Sequence, residues 1–303
     1  MGDWAMTNVA TKLFDLSRRV PDYTQRNVFE TLAVLGGVKK VLRLVISVDH
    51  ANHVCSAVER QDLVVARAPW RLRPVYRTSL KDIYTEIADD TGMPGESLVL
   101  AVAKDKSIAE RYLKAEEHDD VEEVGHLLGY PPCCVRSYDN LSNDRDWLTE
   151  MLSNTTFLSR YPFQNNRLSY LFDDRWIGFD YFPCSLNCRR TSQIFETMAE
   201  VLRGQKLGAL VRKVESLMKT PILIRKGVII QLTGAIVQGH SLRYKLHNAK
   251  LFGWKTSDHA DEDPIWETDG LIRESESLKF FHKRQFITSW REEQMDNRLL
   301  AFE

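Results

Sequence analysis

Two proline-led cysteine pairs constrain this chain more than any other feature of its sequence. The first is Tyr130-Pro131-Pro132-Cys133-Cys134-Val135-Arg136, and the second is Phe182-Pro183-Cys184-Ser185-Leu186-Asn187-Cys188-Arg189-Arg190. Proline is tolerated in a first helical turn, where the N–H it lacks would have had no partner, so each pair is predicted to open a helix. At such a terminus the positive end of the helix dipole favours thiolate over thiol, and Arg136, Arg189 and Arg190 add to that effect. Thiolate is the form that binds metals and attacks electrophiles. Four of the five cysteines lie in these two contexts. The 49 residues between Cys134 and Cys184 mean that only tertiary folding can join them.

Convergence of Cys133, Cys134, Cys184 and Cys188 on one site is therefore the expectation, against the plainer reading of buried cysteines that act as small hydrophobes. Three chemistries compete for a converged site. Four thiolates can hold a [4Fe–4S] cluster, or three can hold it while the fourth position acts on substrate. They can form a closed zinc site that stabilises the fold. Without metal, the pairs can exchange thiol and disulfide. Adjacent cysteines and a C-x3-C spacing at helix starts differ from the usual C-x2-C zinc knuckle and favour the iron–sulfur reading.

His126-Leu-Leu-Gly-Tyr-Pro-Pro-Cys-Cys134, with Pro183-Cys184-Ser185-x-x-Cys188 downstream, resembles a largely uncharacterised prokaryotic family with LGYP-x-CC and PCS-x2-C motifs. The resemblance covers two short motifs within about residues 121–200. It implies that the four cysteines belong together as ligands, and implies no reaction. Tyr181-Phe182 stand where a nearby histidine would suit the family pattern.

Among the neighbours, His126 is a candidate further ligand, proton donor or hydrogen-bond donor to sulfur, set against a surface or capping role. Arg189 and Arg190 are candidates to hold a substrate carboxylate or phosphate, set against a solvated face. Ser185 suits a helix cap; Tyr130 and Asp180 lie near the motifs with open roles. A separate group, Asp49-His50-x-x-His53-x-Cys55, offers zinc-ligand types after a strong strand, with a polar turn and a buried Cys55 as the plain alternative. No G-x-G-x-x-G, Walker A, G-x-S-x-G or H-E-x-x-H motif occurs, so nicotinamide, P-loop, hydrolase-elbow and zincin readings have no support.

The expected fold class is α+β: a mixed α/β N-terminal part (1–105), then a cysteine-site region (106–303) of helices and an antiparallel β-meander ending in a helix. One continuous domain is the alternative. Tyr23–Leu35 reads as a helix, Val38–Val48 and Asp62–Ala68 as strands, and Leu98–Ala103 as a strand that leads into a helix. Gly129 marks a helix end. Thr191–Met218 reads as two helices broken between Gly204 and Gly208. Ile222–Ile224, Val228–Leu232 and Leu242–Leu246 read as the meander, and Leu278–Phe302 as helix. Trp147–Asp180 reads as an irregular aromatic excursion with a short strand at Trp176–Phe179; its Phe157–Tyr181 part suits core or a pocket wall.

Composition narrows the class of partner. Lys+Arg (41) and Asp+Glu (42) nearly cancel, so no global field favours nucleic acid or an anionic membrane. Asp3 stands where a secretory leader would be basic and no long apolar run occurs, so a soluble cytoplasmic chain is expected. The resulting expectation is an iron–sulfur enzyme performing oxidoreduction or sulfur transfer on a small molecule, served by an electron or sulfur donor protein. A zinc-stabilised interaction protein without catalysis and a metal-free thiol oxidoreductase are the rivals.

Overall fold

The computed structural model describes residues 3–76, 83–87, 96–140, 151, 154, 183–225, 228–232, 235–238, 241–243, 250–253, 270–274, 277–282, 285–291 and 298–300. Its class is α+β, as the sequence implied. The chain separates into two compact units, one built on a four-stranded sheet and the other on antiparallel sheets of the C-terminal third.

In the first unit, α1 (Asp3–Arg19) and α2 (Gln25–Leu35) precede β1 (Val41–Ser47), which runs directly into α3 (Val48–Glu59). Then follow β2 (Val64–Tyr76), β3 (Ile83–Ile87), β4 (Ser97–Ala103), α4 (Lys106–Glu117), α5 (Val121–Leu127) and α6 (Pro132–Asp139). The strand order is β1-β4-β2-β3, antiparallel throughout, with Val41 and Val64 both opposite Ala103. Val99 to Ala103 is a continuous apolar run because β4 is central and covered on both faces. Side chains alternate across a strand, so Val99, Ala101 and Ala103 meet Ala109, Tyr112 and Leu113 of α4, together with Leu127 and Leu128 from the end of α5. Leu100 and Val102 serve the opposite face, against which α2 and α3 pack. Each fully buried valine or leucine here contributes about 1.5–3 kcal/mol relative to exposure.

The expected helix at Tyr23–Leu35, the strands and the strand-to-helix step at Leu98 are all present. Helix α1 and strand β3 were not anticipated. The ligand-rich segment at Asp49 is helix rather than polar turn, since Val48, Ala51, Val54, Cys55 and Val58 supply an apolar stripe, of which Ala51, Val54, Cys55 and Val58 are buried.

Beyond the cysteines come α7 (Arg189–Gly204) and α8 (Gly208–Met218), broken where the two glycines predicted. Within the first unit α7 packs closely on the end of α2: a Cβ on Gly36 would stand 2.7 Å from Val201 Cγ1.

In the C-terminal third, β5 (Ile222–Arg225), β6 (Val228–Gln231), β9 (Lys250–Gly253) and β13 (Arg298–Leu300) form a sheet of order β13-β5-β6-β9. A second sheet, of order β12-β11-β10-β8-β7, contains β7 (Ile236–Gln238), β8 (Ser241–Arg243), β10 (Gly270–Glu274), β11 (Ser277–His282) and β12 (Gln285–Arg291). Two expectations are corrected here. The meander divides, because β8 pairs with β7 and β10 instead of continuing from β6. The tail expected as helix from Leu278 contains strands instead among its described residues: β11 and β12, paired antiparallel, and β13. Leu-Lys-Phe-Phe and Phe-Ile-Thr-Ser-Trp are rich in aromatic and β-branched residues, which fit a pleated surface better than a helix. The strand expected at Trp176–Phe179, the aromatic stretch Phe157–Tyr181 and the acidic loop after Asp258 lie outside the described residues. Among the described residues no helix is long and apolar enough to cross a membrane.

Candidate metal centre

Helix α5 determines where the first cysteine pair can stand. It ends in a Schellman motif: Gly129 adopts φ +79°, its N–H donates to His126 O at 3.1 Å, and Tyr130 N–H donates to Gly125 O at 2.9 Å. Only glycine takes that φ without strain. The reversal delivers Pro131 as the N-cap of α6 and Pro132 as its first residue, which places Cys133 and Cys134 second and third in the helix. Pro131 O closes the first turn by accepting from Cys134 N–H at 2.8 Å and Val135 N–H at 3.0 Å. Against α5, α6 is held at very short range. A Cβ on Gly125 would fall 2.4 Å from Val135 Cγ2, so only a residue without a side chain permits this approach.

The second pair brackets the entry to α7. Cys188 N–H donates to Ser185 O at 3.3 Å in a tight turn, and Cys188 O accepts the first helical bond, from Ser192 N–H at 3.2 Å. Cys188 is thus the cap residue of α7. Leu186 is fully buried and anchors the loop, with Pro183, Ser185, Thr191 and Ser192 buried around it.

All four sulfurs lie within 4.8 Å of one another. Cys134 (2% exposed) and Cys188 (7%) are buried, whereas Cys133 and Cys184 are partly accessible. Among the described residues this is the group of three or more ligating side chains able to hold a metal ion. Both pairs sit at helix starts, the first on the opening turn of α6 and the second leading into α7. Convergence, the central sequence expectation, is therefore what the fold produces.

The other expected site residues are placed as follows. His126 is exposed on the last turn of α5, and its Nε2 accepts from the Lys40 ammonium at 2.7 Å. Arg189 and Arg190 are exposed on the first turn of α7, and Arg136 is exposed on α6. Tyr130 is half-buried with the Lys39 ammonium 5.4 Å from its ring centroid, and Asp180 lies outside the described residues.

The second ligand-type cluster does not assemble. His50 and Cys55 are five positions apart on α3 and project to different faces. His50 Nδ1 lies 2.9 Å from Asp22 Oδ2 and 3.0 Å from Ser47 Oγ. His53 is exposed, and burial pushes the Cys55 thiol up. For Asp22, burial acts to raise the carboxyl, but the hydrogen bonds from Ser47 and His50 together outweigh it and hold the group below its ordinary value.

Sequence reasoning missed Gly125 and Leu186 as determinants of the site. A glycine inside an otherwise helical run was the available signal for the first. A leucine between two cysteines carries no comparable signal.

Residues 99–206 match the model of a family described as a protein of unknown function, DUF483. The match runs from β4 through α7 and contains all four converging cysteines. No curated protein and no solved structure matches the chain.

Proposed function

We propose that Cys133, Cys134, Cys184 and Cys188 bind a single tetrahedrally coordinated metal ion, and that the ion is zinc. The observation that carries this reading is the mutual distance of the sulfurs. Four thiolates at about 2.3 Å from one central ion stand about 3.8 Å apart, and the observed limit of 4.8 Å accommodates that arrangement. The corner thiolates of a four-iron cluster are bonded to separate irons and spread considerably wider. All four positions being protein sulfur, with no open coordination site, is the pattern of a structural centre. Its role is to close the 49 residues between Cys134 and Cys184 into a loop, which removes entropy from the unfolded chain.

The half-exposed Cys133 and Cys184 favour a second reading. Accessible sulfur permits chemistry, as in the iron–sulfur enzyme the sequence suggested, performing oxidoreduction or sulfur transfer on a small molecule. His126, Arg189 and Arg190 are then the exposed polar groups available to serve substrate or a donor protein.

Cobalt substitution separates the two. Cobalt(II) added to metal-free protein should give the intense visible bands of a tetrahedral tetrathiolate ion and be displaced stoichiometrically by zinc. Brown protein carrying iron and acid-labile sulfide, with no cobalt spectrum of this type, would replace the first reading by the second.

A further inference from the structure

The four sulfurs of the cysteine centre differ in their access to solvent. Each segment supplies one buried cysteine and one partly accessible one: Cys134 and Cys188 are buried, whereas Cys133 and Cys184 reach the surface. The two accessible residues come from different segments, yet their sulfurs lie within 4.8 Å of each other. A thiol that coordinates a metal is deprotonated outright, and oxidation of cysteine follows thiolate character and exposure. An oxidant arriving from solvent therefore meets Cys133 and Cys184 first.

Backbone geometry narrows which sulfurs can then join. A disulfide usually spans Cα atoms about 4.4–6.8 Å apart, whereas neighbours across a trans peptide are about 3.8 Å apart. Cys133 and Cys134 are consecutive in α6, so a bond between them strains the helix start. Within the second segment, Cys188 is buried as the cap residue of α7, out of reach of the oxidant that meets Cys184. The accessible sulfur of one segment is left facing the accessible sulfur of the other.

We propose that the centre is a reversible redox switch, in which a hydroperoxide joins Cys133 to Cys184 in a disulfide and the bound ion is released. The inference rests on the zinc reading given above and names the regulation of that same site. In the first step the thiolate of one accessible cysteine attacks the peroxide, the O–O bond breaks, and the sulfur becomes a sulfenic acid. The other accessible thiolate then attacks that sulfur; the S–S bond forms as the S–O bond breaks, and the oxygen leaves as water. Two thiolates together lose two electrons, one hydrogen peroxide is reduced to two waters, and two protons are taken from solvent. Cys134 and Cys188 remain, two sulfurs where four closed the tetrahedron, which is too few for a structural zinc site. The disulfide ties the same two segments that the ion tied, so the loop between them stays closed in both states.

The test treats full-length, zinc-loaded protein with one equivalent of hydrogen peroxide in the presence of a chromophoric zinc chelator, then alkylates the thiols in denaturant and maps them by mass spectrometry. Oxidised chains should lose their zinc completely, with Cys133 and Cys184 protected from alkylation and joined in one cross-link. Cys134, Cys188 and the buried Cys55 should remain open to alkylation, and a thiol reductant with added zinc should restore both the ion and the two protected thiols. Zinc retained by peroxide-treated chains, release without a disulfide, or a disulfide joining any other two cysteines would overturn the switch while leaving the zinc centre standing. Untreated protein that holds no zinc would remove the zinc reading and the switch together.

Discussion

At the residue scale, the four sulfurs act as one unit, and each substitution tests the same claim. Serine at position 133, 134, 184 or 188 should lower metal affinity by more than the roughly 10- to 100-fold that losing an outer-shell partner costs. Competition with a chromophoric chelator measures this. The Lys39–Glu30 pair makes a different prediction. Lys39→Met strands a buried carboxylate and should cost about 3–5 kcal/mol in urea unfolding, much of it recovered when Glu30→Gln is added. Asp22 supplies a pH-dependent increment. Its folded value is lowered, so its stabilisation is present above the unfolded value and lost as pH falls through the folded one. Asp22→Asn should therefore be less stable than the natural chain near neutral pH, with the gap closing in acid. The cysteines were legible in the sequence because proline, cysteine and arginine recur in one order twice. The Lys39–Glu30 pair was not legible: nine residues and a helix end separate two ordinary surface residue types, and only their burial distinguishes them.

At the element scale, the site depends on how closely α6 can approach α5. Gly125→Ala introduces a methyl group where Val135 already stands, 2.4 Å away, and overpacking of this kind costs about 1–3 kcal/mol. The variant should unfold at a lower temperature and should also bind metal more weakly, because α6 carries Cys133 and Cys134. A loss of stability with undiminished metal affinity would detach the helix pair from the site. Elements with a strong local signal were readable: β4 from its unbroken apolar run, the end of α5 from Gly129, and the break between α7 and α8 from Gly204 and Gly208. The C-terminal strands were misread because charged residues between Phe281 and Phe286 resemble the polar face of a helix, while the aromatic and β-branched neighbours that favour strand depend on cross-strand pairing invisible in one segment. Helix α3 was misread for the converse reason, its histidines drawing attention away from the buried stripe of Ala51, Val54, Cys55 and Val58.

At the scale of the whole molecule, the metal binding proposed for the four cysteines couples to folding. Ligand thiolates are deprotonated and brought together only in the folded chain, so binding free energy is folding free energy. Net charge near zero and no recognisable nucleotide motif leave the cysteine centre as the feature that most distinguishes this chain. Convergence across 49 residues could be expected from the paired Pro-Cys contexts, but the distance between the sulfurs is a tertiary property that no spacing encodes. The most direct measurement is elemental: iron, zinc and acid-labile sulfide per chain in protein purified without oxygen, for the natural sequence and the four serine variants. One zinc per chain without sulfide, lost in every variant, is the predicted result; metal-free natural protein, or metal retained by all four variants, would contradict a shared centre.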